Sequence, residues 1–145
     1  MTSRLIENKV DLTHFLKLPA FAKFPYVLTI EPGKKRSIEQ NRLAFDWYRQ
    51  AAEQLGDESA EDKRAFCKLH FAIPILRFYN EEYRLAYDKY IRPLPYETKL
   101  AMMKAPIDYP ATRLFKTKQM TEYLDRVYHH FRELGVELTQ PEEAR

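Results

Sequence analysis

Cysteine occurs once in this 145-residue chain, at Cys67, so no disulfide can form within it and a reducing, cytosolic setting is expected. Only three glycines are present, too few for the tight turns of a large all-β architecture. No apolar stretch approaches the roughly 18 residues of a membrane span. The N-terminus lacks an apolar run leading to a small-residue cleavage site, so no signal peptide is expected. Charge of one sign is also scarce. A net +3 excludes a histone-like polycation and turns attention to local patches. A Gly-rich phosphate loop, internal repeats and low-complexity segments are all missing.

What is present is a series of helical patterns. Residues 4–10 alternate weakly and read as a first strand, and residues 11–24 read as a short helix broken near Leu18 by Pro19. Tyr26–Ile30 is a β-branched and aromatic run closed by Pro32-Gly33, the clearest strand pattern. After Ser37, Ala44, Phe45, Tyr48, Ala51, Ala52 and Leu55 recur at the helical period, and Gly56 supplies a stop. Ser59 with Asp62 opens a second helix, whose stripe is Ala65, Phe66, Leu69 and Ile73 and whose end is Pro74. Tyr79, Tyr83, Tyr87 and Tyr90 share one helical face, a surface suited to an interface. A short helix follows over 96–104. Thr117 then caps a last helix with a seam of Met120, Leu124, Val127, Phe131 and Leu134, stopped by Gly135. The expected fold is α+β: one domain, mostly helical, with a small N-terminal β-sheet (1–36), a helical region with a C-terminal arm (37–136) and a frayed acidic tail (137–145).

Two basic segments carry the functional signal. Lys34, Lys35, Arg36 and Arg42 against Glu39 give a net +3 within nine residues. Ser37 and Gln40 stand at capping-box spacing, so an anion near Ser37 would meet helix-end amides and three cations together. Arg113, Lys116 and Lys118 flank a second helix start around Phe115, which could stack on a base. The expected DNA-binding set is Lys34, Lys35, Arg36, Ser37, Gln40, Arg42, Arg113, Lys116 and Lys118. Plain alternatives stand beside it: solvated cations, an ordinary cap and a core role for Phe115. Trp47 reads as core.

Catalytic patterns are weak. His129 and His130 project about 100° apart on a helix and do not share a metal easily. His14 and His70 have no partner at ligand spacing. Glu81-Glu82 and Glu142-Glu143 read as solvated face and tail. Pro32-Gly33 interrupts the acid-x-lysine spacing that Asp11, Glu31 and Lys34 would need for a nuclease. Cys67 reads as a small buried apolar residue. No metal, cofactor or catalytic group is expected.

Strand Tyr26–Ile30, a basic turn and then Lys35-Arg36-Ser37-Ile38-Glu39-Gln40-Asn41-Arg42 opening an aromatic-rich helix resemble the NinB/Orf family of phage and prophage recombination proteins. The segment Thr112–Met120, with the amphipathic helix running to Gly135-Val136, is similar to that family's C-terminal part. The resemblance covers 26–56 and 111–136. It implies a homodimer that binds single-stranded DNA in the host cytoplasm without catalysis. Such a protein acts as a recombination mediator, loading a recombinase onto DNA coated by single-strand-binding protein. The alternatives are a metal-dependent structure-specific nuclease and an adaptor that contacts single-strand-binding protein through the tyrosine face.

Overall fold

In the computed structural model, residues 6–19, 23–30 and 35–140 are described, at 35–37 by the backbone alone. The expected α+β class is not observed. The chain is mostly helical, and no β-strand occurs among the described residues. Among the described residues seven α-helices follow in order: α1 Lys9–Leu16, α2 Lys35–Leu55, α3 Ala60–Cys67, α4 Ile73–Tyr79, α5 Glu81–Tyr90, α6 Tyr96–Met102 and α7 Thr117–Glu133. The chain divides into two compact units, Met1–Glu39 and Gln40–Arg145.

In the first unit, the strand expected over 4–10 is replaced, within its described residues 6–10, by a helix start; residues 4 and 5 lie outside the described residues. Asn8 accepts a hydrogen bond from the Asp11 amide at 2.9 Å and caps α1, a local bond that outcompetes an isolated extended segment. Tyr26–Ile30 forms no ladder, and Val27 is 95% exposed. An alternating pattern becomes a strand only beside a second strand, and no described segment supplies one. Pro32-Gly33 lies outside the described residues.

The second unit is built around α2 and α7, which run in the same direction. Gln40 meets Thr121 near one end, and Trp47 meets Tyr128 further along. Leu43, Ala44, Trp47, Tyr48 and Ala51 of α2 are buried with Met120, Tyr123, Leu124, Val127 and Phe131 of α7. Helix α7 is therefore a core element, not an arm. The seam is covered by this chain's own α2. Leu134, at its end, is half exposed. Gly56 (φ +66°) and Gly135 (φ +84°) supply the left-handed stops after α2 and α7.

Helix α3 begins at a complete capping box, with Ser59 Oγ accepting from the Asp62 amide and Asp62 Oδ2 from the Ser59 amide, both at 3.1 Å. The helix expected to end at Pro74 continues through it. Lys68–Ala72 form a π-turn in which the Ile73 N–H donates to the Lys68 carbonyl, five residues back. Pro74 sits in the first turn of α4. Proline cannot donate to the residue-70 carbonyl and its ring crowds that carbonyl, and the widened turn accommodates both effects.

The tyrosine face is not a single surface. Tyr79 ends α4, while Tyr83 and Tyr87 of α5 stack on each other and pack against Tyr109. The expected frayed tail is ordered up to Gln140, with Val136 and Leu138 buried in the main core. Residues 141–145 lie outside the described residues.

Candidate nucleic-acid interface

The structure places the expected site residues in several locations. Lys34 lies outside the described residues. Lys35, Arg36 and Ser37 belong to the first unit, with only their backbone described. Helix α2 starts at Lys35, so Ser37 is its third residue and not its N-cap. Lysine and arginine are good helix formers, and the helix extends over them past the expected start. Gln40 does not complete a capping box. Its Nε2 donates to Thr121 Oγ1 at 2.9 Å, and its buried Oε1 has no hydrogen-bond partner among the described residues. Arg42 is exposed and, two residues on, is turned by about 200° from Gln40, away from α7.

The second basic segment is the better-built site. Lys116 is the N-cap of α7 in place of the expected Thr117, and it makes no side-chain cap hydrogen bond. An ammonium group has no acceptor lone pair, so this residue cannot cap the first-turn amides. Gln119 Oε1 accepts only from the Lys116 amide, at 2.9 Å. A 17-residue helix thus begins here, with the positive end of its dipole among these cations. Arg113, Lys116 and Lys118 are exposed around that start and form no ion pair among the described residues. Phe115 is half buried, its ring 5.6 Å from that of Tyr123, so it serves the core and not a stacking platform. Gln40 and Thr121 close one flank of this helix start.

Two further clusters escaped the sequence. The first is a buried charge network. Arg64 and Lys68 donate to Asp108 Oδ1 at 2.5 and 2.6 Å, and Lys68 also donates to the Met103 carbonyl at 2.8 Å. Burial opposes ionisation of Asp108, but the bonds from Lys68 and Arg64 outweigh it and lower its pKa. Burial lowers the pKa of Lys68 despite Asp108, because Arg64 already shares that carboxylate. Asp62, bonded by Lys104 and by Ser59, has its pKa lowered to about 2. The second cluster surrounds a pocket at His70. His70 Nε2 lies 2.9 Å from Tyr96 Oη. Its pKa is lowered by burial first, then by His130 and Lys99. The only sequence signals were Arg64 and Lys68 one turn apart on a helix that also carries apolar residues, and the proline that forces the π-turn.

Among the described residues, no group of three or more His, Cys, Asp or Glu converges to hold a metal ion, and no helix is long and apolar enough to cross a membrane. No protein-family model, curated protein or solved structure matches this chain.

Proposed function

We propose that the protein binds single-stranded DNA without chemistry of its own and serves as a mediator in phage-type recombination. The observation that carries the binding is the start of α7 flanked by the exposed Arg113, Lys116 and Lys118. The positive end of a helix dipole and exposed cations together favour a phosphate, and a row of phosphates favours a strand. Lys34, Lys35, Arg36, Ser37 and Arg42 belong to the proposal through their sequence, as a second basic segment. Homodimerisation, the host cytoplasm, and contacts to single-strand-binding protein and a recombinase rest on the family resemblance.

The test is a salt titration of binding to a single-stranded oligonucleotide. Lys116→Ala combined with Lys118→Ala is expected to weaken binding and flatten the slope of log K against log salt by ~0.7 per lost contact. Lys35→Ala combined with Arg36→Ala forms a separate arm, expected to act in the same direction. A folded Lys116/Lys118 double variant with unchanged affinity and slope removes the α7 start from the site.

A further inference from the structure

The pocket at His70 shares no residue with the α7 start. Its volume is about 240 Å³, the space of about eight waters. Its floor is apolar, formed by Leu69, Ile73 and Pro74. Arg77, Arg92 and Lys99 also line it, and they converge from α4, the segment after α5, and α6.

The charge there is unbalanced. Arg77 holds Asp88 through two bonds, at 2.7 and 2.9 Å, and Arg92 approaches the same carboxylate at 3.7 Å. Lys99 Nζ donates to the Arg92 carbonyl at 3.3 Å and makes no ion pair among the described residues. Two cations therefore share one carboxylate, and the third has none among the described residues. The aromatic wall is fixed in place. His70 is stacked on Phe66 at 4.1 Å, and Phe66 is stacked on His130 at 4.9 Å. The π-turn that presents His70 is a distortion that recurs at functional sites.

We infer that this pocket binds a nucleoside monophosphate group, its phosphate held by Arg92 and Lys99 and its ring laid on the apolar floor beside Tyr96. Surplus positive charge selects an anion, and the arginine head suits a phosphate in particular. The volume exceeds what inorganic phosphate fills, and the apolar floor and Tyr96 suit a flat ring. The same group occurs free in solution and at the phosphorylated end of a strand. The inference does not depend on the α7 reading, because none of its cations is shared.

The test is calorimetric titration of the full chain with adenosine monophosphate, adenosine and inorganic phosphate, and with 5′-phosphorylated and 5′-hydroxyl oligonucleotides. The nucleotide is expected to bind saturably and at least tenfold more tightly than adenosine or inorganic phosphate. Lys99→Gln and Arg92→Gln are each expected to weaken it at least tenfold with an unchanged melting temperature, since Arg92 is exposed and neither residue belongs to the buried core. A preference for the phosphorylated strand that Lys99→Gln abolishes identifies the strand end as the ligand, whereas a response to the free nucleotide alone identifies the small molecule. Two results overturn the inference. One is no saturable nucleotide binding together with no preference for the phosphorylated strand. The other is binding that both variants leave intact.

Discussion

Gln54 grips the backbone of Glu137 from both sides, its Oε1 accepting from the Glu137 amide at 2.7 Å and its Nε2 donating to the Glu137 carbonyl at 2.7 Å. One turn earlier on α2, Gln50 accepts from the Thr139 amide at 2.9 Å and donates to Thr139 Oγ1 at 2.5 Å. Residues at i and i+4 lie about 6 Å apart along a helix, close to the spacing of alternate residues on an extended chain. The two glutamines thus act as a substitute strand edge. They pair the residues of 136–139 that point outward, while Val136 and Leu138, on the other side of the strap, are buried.

The strap predicts a stability cost for changes at α2 positions that look like solvated surface. Gln50→Ala with Gln54→Ala is expected to destabilise the protein by roughly 1–3 kcal/mol, since several modest hydrogen bonds are lost and backbone groups return to water. Trp47 is the only tryptophan, and its Nε1 donates to the Thr139 carbonyl at 2.8 Å. Release of the strap therefore exposes the indole and shifts its fluorescence to longer wavelength. Urea denaturation followed by that fluorescence measures both effects. A double variant with an unchanged midpoint and emission maximum rules out the strap.

Cys67 is fully buried, and burial holds its thiol well above the ordinary thiol range. Thiolate is the reactive form, so native protein is expected to resist a thiol reagent such as dithionitrobenzoate at neutral pH. Reaction should become complete in denaturant, at a rate set by unfolding. Rapid labelling of native protein would contradict the packing of α3 against α2 and α7.

Local signals were legible in the sequence, and pairings across the chain were not. Ser59 with Asp62, Gly56 and Gly135 act within a few residues of themselves, and each performs its expected role. Trp47 was placed correctly in the core. Tyr26–Ile30 carries a strand pattern, but a strand is a relation between two segments and the pattern shows only one. Ser37 and Gln40 have the spacing of a cap. The helix starts before them, however, and Gln40 finds its partner 81 residues away, at Thr121. The tail looked frayed because its charges are visible in the sequence while the glutamines that hold it lie on another helix. Of the two basic segments, the second has its cations exposed around a helix start with lysine at the N-cap, a feature that depends on where the helix actually starts.

The Arg64–Lys68–Asp108 network gives the sharpest energetic test, because its members should respond unequally. Lys68 is 2% exposed. Burying a charge costs several kcal/mol, and a buried pair often only breaks even against apolar packing. Lys68→Met keeps most of the stem volume and leaves Arg64 with Asp108, so its stability is expected to stay within about 1 kcal/mol of the parent. Asp108→Asn removes the one carboxylate that pairs with Lys68 among the described residues, leaving a buried ammonium without a hydrogen-bonded counter-charge. Asparagine tolerates the left-handed backbone at this position (φ +47°), so the change isolates the loss of charge. The expected cost is roughly 1–3 kcal/mol, below that of a fully buried pair because Asp108 is partly solvated. The pH dependence follows from the lowered pKa of Asp108. Its contribution is fully present above the unfolded carboxylate value of about 4 and is lost as pH falls through the lower folded value. Chemical denaturation at pH 7 and again near pH 3 should therefore show the parent losing more stability than Asp108→Asn. Equal acid losses, or a Lys68→Met variant more damaged than Asp108→Asn, would mean that the network is held by something other than this carboxylate.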